Sequence, residues 1–334
     1  KIHDGEEFPV EYDGLSQELT KGDQILLADG IIRLSVISTG GKKASFVDCL
    51  VEDGGTLTSR KGINVPGTMV DLPAVGERDL LALDHAIKAG ADWVAVSYVR
   101  TVEDLKPARD AIRSAGLHTP IIAKIEHPAA LENLDSILDA ADGVMVARGD
   151  LGVEIPMEQV PLAQQQIIDA ALTRGMVAIV ATQMLESMTL APRPTRAEVS
   201  DVSTAIRHGG TAVMLSGETA SGNYPIASVE TMVKIAEATE DGLTSTGLIP
   251  GGPSRFRATR AVAHAGVELA KMSGAKHIVV ATRHGNAPRL VSGYRPDVLV
   301  TAVTDRIRAA RRMNLLPGVQ SVIIKEYERG SQTM

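Results

Sequence analysis

The stretch IIAKIEHPAALENLDSILDAADGVMVARGDLGVEIP, residues 121–156, decides the fold. It holds two short apolar runs, Ile121–Ile125 and Gly143–Ala147, and neither alternates strictly between apolar and polar residues. Such runs are typical of strands that are buried on both faces. A connection long enough for a helix separates them, and parallel strands need a connection of that kind. The stretch therefore predicts consecutive parallel strand–helix units.

The same pattern extends on both sides of this stretch. Three further apolar runs have the same character: Trp93–Val99, Val177–Thr182 and Thr211–Leu215. Helical patterns precede the first run, at Asp79–Ala89, and separate later runs, at Leu105–Ala115, Pro161–Thr173 and Thr195–Arg207. Repeated units of this type predict either a doubly wound sheet or a (β/α)₈ barrel. Five units do not close an eight-stranded barrel, so a barrel would need three more strands before residue 1.

The flanking regions follow different patterns. Residues 1–66 contain short apolar runs separated by Gly-Asp, Asp-Gly and Gly-Gly pairs, which predict a small antiparallel β unit with tight turns. The segment DGLTSTGLIPGGP, residues 241–253, has the composition of a linker. Residues 254–334 alternate helical and strand-like runs, which predict a second α/β unit whose sheet is incomplete.

Composition excludes several classes of protein. The 334 residues include 34 Lys plus Arg and 41 Asp plus Glu, and the formal charge is 34 − 41 = −7. With only 3% aromatic residues, this acidic chain lacks the basic, stacking surface that nucleic-acid binding needs. No apolar run approaches the roughly 20 residues that span a bilayer. Cys49 is the single cysteine, so intrachain disulfides and thiolate metal clusters are excluded. We therefore expect a soluble, cytoplasmic protein.

Polar side chains follow the strand runs at the point where each run ends. Lys124 and Glu126 are two residues apart, so both point to one side at the end of their strand. Arg148, Asp150 and Thr182 follow the next two runs. Catalytic groups in parallel α/β folds gather at the carboxyl ends of several strands. We therefore expect these five residues to lie on one rim.

Two hypotheses fit this rim. Two carboxylates from neighbouring strands suit Mg²⁺, which typically takes one or two protein carboxylates and leaves its other positions to water and substrate. A lysine beside the metal would stabilise an anionic phosphoryl or enolate group. Alternatively, Glu126 pairs with Lys124 or Arg148 in a structural ring of ion pairs.

Seven ordered segments carry a close resemblance to the pyruvate kinase family, over residues 8 to about 325. They are RKGINVPG (60–67), DLPAVGERD (71–79), AKIEHPAALENLD (123–135), DGVMVARGDLGVEIP (142–156), ATQMLESM (181–188), PRPTRAEVSDV (192–202) and VMLSGETASGNYP (213–225). The resemblance implies an α/β fold built around a partial TIM (β/α)₈ barrel, of which strands 4 to 8 occupy residues 67–240. It further implies that residues 1–66 form an inserted small β-barrel lid. Residues 241–253 would be a linker, and 254–334 an incomplete three-layer α/β domain. On this view the sequence is truncated at its N-terminus, and we expect truncation at its C-terminus too.

The resemblance also implies a role for each rim residue. Lys124 corresponds to the lysine that stabilises the transferring phosphoryl group, and Glu126 and Asp150 correspond to ligands of Mg²⁺ (or Mn²⁺). The substrate site would comprise Lys124 and Thr182 together with the turn Ala147, Arg148, Gly149 and Asp150, whose backbone N–H groups face the substrate carboxylate. Thr182 would also take part in the proton step at the enolate carbon. Lys61 matches a nucleotide-contacting lysine at the hinge of the lid.

The function implied is phosphoryl transfer from phosphoenolpyruvate to ADP, which gives pyruvate and ATP in the last step of glycolysis. Mg²⁺ would be essential and K⁺ expected, although the family's K⁺ ligands lie on the first barrel strands. The full-length enzyme would be a homotetramer with no nucleic-acid or membrane partner. Two alternatives stay open: another metal-dependent pyruvate or oxaloacetate enzyme on the same barrel, and an inactive or partner-binding chain.

Two positions depart from the family pattern. His127 stands where many relatives have Asn, next to a metal ligand without being one. The segment TRHGNA, residues 282–287, stands where a Ser/Thr-rich effector loop would fall. Gly285 before the following helix is typical of a capping turn, and an anion site there is the alternative.

Overall fold

A computed structural model describes residues 7–28, 30–40, 46–59, 61–68, 70–243 and 257–325. Its first part is an antiparallel sheet of four strands in the order β3-β2-β1-β4. The strands are β1 (Gln24–Leu27), β2 (Ile32–Thr39), β3 (Val47–Asp53) and β4 (Ile63–Asn64), and a one-turn helix α1 (Leu15–Glu18) precedes them. Burial alternates along β1 and β2, so one face packs on a small apolar core. The antiparallel unit predicted for this region is confirmed.

The second part is a parallel sheet of five strands in sequential order. Its strands are β5 (Val94–Val96), β6 (Ile121–Ile125), β7 (Gly143–Ala147), β8 (Val177–Ala181) and β9 (Ala212–Met214). Each strand lies within a predicted apolar run, and the three central strands are almost wholly buried. In the described part of the chain this sheet is open, with β5 and β9 at its edges.

Nine helices belong to this second part among the described residues. They are α2 (Glu77–Lys88), α3 (Lys106–Ser114), α4 (Pro128–Glu132), α5 (Leu134–Ala140), α6 (Arg148–Glu154), α7 (Val160–Thr173), α8 (Arg196–Arg207), α9 (Gly217–Ala220) and α10 (Pro225–Asp241). Their starts follow from local chemistry. Thr195 Oγ1 accepts from the Glu198 N–H, and the Glu198 carboxylate accepts from the Thr195 N–H, which forms a capping box at α8.

The third part is a smaller parallel sheet in the order β10-β11-β12. Its elements are α11 (Arg257–Ser273), β10 (His277–Ala281), α12 (Asn286–Gly293), β11 (Leu299–Thr304), α13 (Ile307–Arg312) and β12 (Val319–Ile323). They match the alternating helices and strands predicted for this region. Single-turn 3₁₀ helices lie at Val102–Leu105, Met157–Gln159, Glu186–Thr189 and Met313–Leu315.

The two faces of the five-stranded sheet bury different partners. Side chains such as Ala123 and Val146 belong to the core shared with the helices. Alternate side chains, among them Met145 and Ile179, pack on the opposite face with Met313 and with two other residues of the third part, Ala302 and Leu316. Because successive side chains of a strand point to opposite faces, strands of this sheet contribute side chains to two different apolar cores.

Hydrogen bonds from two arginine side chains attach the third part to the amino-terminal end of the five-stranded sheet. Arg312 Nε donates to the carbonyl of Asp92, just before β5, at 3.2 Å, and Arg295 donates to the carbonyl of Gly210, just before β9, at 2.8 Å. The carboxyl ends of the strands lie at the opposite end of the sheet, and the predicted functional residues follow them there.

Domain limits at 1–66, 67–240, 241–253 and 254–334 stay predictions. Residues 244–253 of the linker lie outside the described residues. No described helix combines the length and the apolar character that a membrane crossing requires.

Candidate active site

The carboxyl end of β6 holds a compact polar cluster. Lys124, the fourth residue of the strand, places Nζ 2.6 Å from Glu126 Oε1 and 2.8 Å from Ser97 Oγ. The second oxygen of Glu126, Oε2, accepts from the N–H of Tyr98 at 2.6 Å. Both residues that the sequence placed on one side of the strand end are therefore in direct contact.

Ser97 and Tyr98 belong to the cluster but were not among the predicted site residues. They directly follow β5, so the rule that placed the other residues at strand ends applies to them as well. Tyr98 has a φ of +51°, a left-handed backbone conformation that is uncommon for a bulky residue. This conformation accompanies the donation of its N–H to Glu126.

The electrostatics of Glu126 reflect its burial. The carboxylate is only 1% exposed, and this desolvation raises its pKa above the ordinary value, although Lys124 and the Tyr98 N–H act in the opposite direction. The negative charge of Asp150 raises the pKa of Glu126 further. A cation bound beside Glu126 would oppose both effects, because it favours the ionised carboxylate.

The donor set fits a hard divalent cation with few protein ligands. Among the described residues, no group of three or more His, Cys, Asp or Glu side chains is placed to hold a metal. The predicted ligands, Glu126 and Asp150, are two carboxylates. This is the set that Mg²⁺ uses when water and substrate oxygens complete its octahedron. An all-protein site of the kind that Zn²⁺ prefers does not fit.

Thr182 follows β8 and contacts the turn after β7. Its hydroxyl accepts from the Gly149 N–H at 2.7 Å and donates to the Ala181 carbonyl at 2.6 Å. Thr182 and Gln183 have φ values of +70° and +53°, two consecutive non-glycine residues in the left-handed region. A turn of this kind needs support from its surroundings.

Arg148, between Ala147 and Gly149, uses its side chain within the protein. Its Nη1 donates to both carboxylate oxygens of Asp201 on α8 at 2.7 Å, and its Nη2 donates to the carbonyl of Thr182 at 2.7 Å. An ion pair of Arg148 with Glu126, one of the alternatives considered above, is therefore not formed. The pairing of Glu126 with Lys124 is present. The predicted contact of the 147–150 turn with substrate through backbone N–H groups stays a prediction.

With this geometry established, comparison with known proteins decides the family. The family model described as pyruvate kinase, barrel domain, matches residues 1–229, and the model described as pyruvate kinase, alpha/beta domain, matches residues 260–334. The chain belongs to the pyruvate kinase family.

Individual pyruvate kinases are similar to most of the chain. The enzyme of Geobacillus stearothermophilus is 43% identical over 321 residues, which cover 94% of this chain and 54% of that protein. Pyruvate kinase 2 of Synechocystis sp. is 40% identical over 329 residues, or 97% of this chain and 54% of that protein. The Leishmania mexicana pyruvate kinase is 40% identical over 331 residues, which cover 97% of this chain and 66% of that protein. The chain thus spans about half to two thirds of the length of these relatives.

Hydrogen bonds connect the antiparallel sheet to the rim through residues for which the sequence predicted no role. Asn64 on β4 donates to Tyr98 Oη at 3.2 Å and to Glu154 Oε1 at 3.0 Å. Burial, followed by the charge of Asp150, raises the pKa of the Tyr98 phenol to about 12, so Oη stays protonated. Lys61 lies exposed two residues before β4. Its nucleotide contact stays a prediction.

The two departures from the pyruvate kinase pattern are local structural features. His127 is the N-cap of α4, and its Nδ1 accepts from the Ala129 N–H at 3.1 Å. Gly285 has a φ of +84° and donates its N–H to Thr282 Oγ1 at 2.9 Å before α12. The geometry at residues 282–285 is that of a capping turn.

Proposed function

We propose that this chain carries the phosphoryl-transfer centre of a pyruvate kinase, which transfers the phosphoryl group of phosphoenolpyruvate to ADP and yields pyruvate and ATP. The observation that carries the proposal is the convergence of Lys124, Glu126, Asp150 and Thr182 at the carboxyl ends of three neighbouring strands. Membership of the family supports the choice of this reaction over others that use the same groups.

Lys124 would neutralise charge on the phosphoryl group in transit. Its Nζ already lies between two oxygen atoms, 2.8 Å from Ser97 Oγ and 2.6 Å from Glu126 Oε1. To act on the substrate, it needs only to reorient toward an oxygen of the phosphoryl group. A fixed cation in a site that excludes water stabilises developing negative charge strongly. Glu126 and Asp150 would hold Mg²⁺ or Mn²⁺, which when bound supplies Lewis-acid stabilisation of the phosphoryl and enolate oxygens.

Thr182 and the 147–150 turn would bind the three-carbon part of the substrate. The Gly149 N–H now donates to the Thr182 hydroxyl and would be available to a carboxylate once that hydroxyl turns to the substrate. Thr182 would then take part in the proton transfer that converts enolpyruvate to pyruvate. The chemistry at this end of the sheet is general acid catalysis combined with positioning.

The architecture that we propose is the one implied by the resemblance. The five-stranded sheet of residues 67–240 would be the last five strands of a (β/α)₈ barrel, and residues 1–66 would be a lid that closes over the rim with Lys61 against the nucleotide. Contacts of Asn64 with the rim support a hinge at β4. Closure would exclude water during transfer.

Further partners of the whole enzyme follow from the family. We propose dependence on K⁺, a homotetrameric assembly and a cytoplasmic place in glycolysis. Light scattering of the purified protein measures the assembly, and replacing K⁺ with a bulky organic cation in the assay measures the ion dependence.

The test is pyruvate formation from phosphoenolpyruvate by this chain with Mg²⁺ and K⁺, with and without ADP. We expect ADP-dependent turnover that Lys124→Ala abolishes. The matched control is Lys88→Ala, because Lys88 also pairs with a carboxylate at 2.6 Å, that of Asp84, but lies on exposed helix surface. Pyruvate release that does not need ADP would favour another pyruvate or oxaloacetate enzyme. No turnover together with no Mn²⁺ binding in an electron paramagnetic resonance titration would contradict the proposal.

A further inference from the structure

The turn after β8 is held in an unfavourable backbone conformation. Thr182 and Gln183 both have positive φ, and threonine is β-branched, which makes this conformation an outlier for it. Outliers of this kind persist only where surrounding contacts over-determine them, and they concentrate at functional sites. The contacts that hold Thr182 therefore identify the residues on which the position of its hydroxyl depends.

Two adjacent residues hold Thr182 from two sides. Arg148 Nη2 donates to the Thr182 carbonyl at 2.7 Å, and the N–H of the next residue, Gly149, donates to the Thr182 hydroxyl at 2.7 Å. The dipeptide at the start of α6 thus fixes both the backbone and the side chain of the threonine. Loss of either contact would leave the hydroxyl free to rotate or the turn free to relax.

The Arg148 side chain is itself held by residues of two helices. Its Nη1 lies 2.7 Å from each carboxylate oxygen of Asp201 and 3.4 Å from Gln164 Oε1, so helices α8 and α7 both contact the guanidinium. Arg148 is buried, and Met184 Sδ lies 2.7 Å from Nη2. Among the described residues, Nε is the one nitrogen of this group without a partner. The guanidinium therefore uses Nη1 and Nη2 for contacts within the protein, which leaves few N–H donors for a substrate.

We propose that Arg148, held by Asp201, is a positioning residue that sets the Thr182 hydroxyl for the proton step. This inference rests on the function proposed above. In that step the enolate of pyruvate takes one proton at its methylene carbon from the Thr182 hydroxyl, which regains a proton from solvent water. The electron pair of its C=C bond forms the new C–H bond, and the C–O bond becomes the ketone C=O. Asp201 lies outside the residues that would touch substrate, and it acts through Arg148.

The experiment compares Arg148→Lys and Asp201→Asn with the unmodified chain. Lysine keeps the charge but loses the planar fork that reaches Asp201 and Thr182 together. The matched control is Arg174→Lys, because Arg174 also bridges carboxylates, those of Asp135 and Asp139, and donates to a backbone carbonyl. Melting curves recorded by circular dichroism identify any variant that fails to fold, and Asp201→Asn is the milder change should Arg148→Lys do so.

The first readout is the exchange of pyruvate methyl hydrogens with deuterium, measured beside the KM for phosphoenolpyruvate. We expect exchange to fall by at least about tenfold in both variants while KM stays within about twofold. The double variant should lose no more than the worse single variant, because the two residues act as one unit. A large rise in KM with exchange and turnover falling in parallel would overturn the proposal and make Arg148 a substrate ligand.

The second readout does not depend on catalysis. In protein with ¹³C-labelled threonine methyl groups, the Thr182 signal, assigned with Thr182→Ser, should shift in Arg148→Lys and Asp201→Asn but not in Arg174→Lys. An unchanged signal in both variants would overturn the positioning role whether or not the chain is active. A shifted signal in a chain without turnover would support positioning and contradict the proposed function alone.

Discussion

The carboxyl end of the five-stranded sheet and the face turned away from the helices carry opposite kinds of side chain. At the carboxyl end, Lys124, Glu126 and Thr182 form a network of charged and hydroxyl groups. The face turned away from the helices packs on apolar side chains of the third part, including Met313 and Leu316. The same five strands thus supply a polar rim at one end and a hydrophobic contact along one face.

The difference shows how one sheet separates chemistry from stability. Burial raises the pKa of Glu126, so keeping this carboxylate ionised costs the fold free energy. The apolar contact along the face contributes stability that can offset such a cost. We therefore expect substitutions at the carboxyl end to change activity most and those in the apolar contact to change mainly the free energy of unfolding.

The largest effect is expected for Lys124→Ala. Removing the cation that faces the phosphoryl group should lower kcat/KM by at least about a thousandfold, which corresponds to roughly 4 kcal/mol. Since Lys124 lowers the pKa of Glu126, its loss leaves a carboxyl that is protonated more easily, which limits the damage to the fold. Steady-state kinetics on protein shown to be folded by circular dichroism measures this change. Retention of more than a tenth of the activity would contradict the role of Lys124.

The second prediction concerns the apolar face, where we expect an effect on stability and none on activity. Met313→Ala should lower the free energy of unfolding by about 3 kcal/mol, because it opens a cavity in a buried cluster. Activity per folded molecule should stay unchanged. Met272, which is 84% exposed, supplies the control: Met272→Ala should shift the free energy by less than about 0.5 kcal/mol. Urea denaturation measures both. A similar shift for the two variants would mean that the contact with the third part contributes little.

Different features of the sequence predicted the strands and the rim residues. Uninterrupted apolar runs such as Val177–Ala181 mark buried parallel strands directly, because a strand covered on both faces has no polar positions. The pairing of Lys124 with Glu126 follows from the strand period. Contacts such as Arg148 with Asp201, 53 residues apart, depend on how helices pack on the sheet, and no local pattern encodes that. The five predicted rim residues could be found from the ends of the strands, whereas Asp201, the partner of Arg148, could not.

A third prediction tests the connection between the antiparallel sheet and the carboxyl end. Asn64→Ala removes the hydrogen bonds to Tyr98 Oη and Glu154, one neutral and one to a charged group. Amide protons of β1 and β4 should then exchange faster, by an amount equivalent to about 1–2 kcal/mol. Hydrogen-exchange mass spectrometry measures the change, and Asn314→Ala, an exposed asparagine in the third part, is the control. Equal exchange in both variants would show that these bonds do not hold the sheet to the rim.

The smallest effect is expected at His127 and depends on pH. Burial lowers the pKa of His127 below the ordinary 6.5, and the charge of Arg100 acts in the same direction, whereas Glu154 and Glu132 oppose it. The neutral ring is needed because Nδ1 accepts from the Ala129 N–H at the N-terminus of α4, where a positive charge is also unfavourable.

The sign of the pH effect follows from which state binds the proton more readily. A histidine whose folded pKa is lowered takes up its proton first in the unfolded state, so stability is lost as pH falls below 6.5 toward the folded pKa. His127→Asn keeps a capping acceptor that does not titrate. Between about pH 7.5 and about pH 5.5, the variant should lose up to about 1 kcal/mol less stability than the unmodified chain. Thermal melts at the two pH values measure this difference, with His85→Asn on exposed helix surface as the control. Identical pH dependence of the His127 variant and the unmodified chain would place the pH-sensitive group elsewhere, since every other titrating residue is unchanged between them.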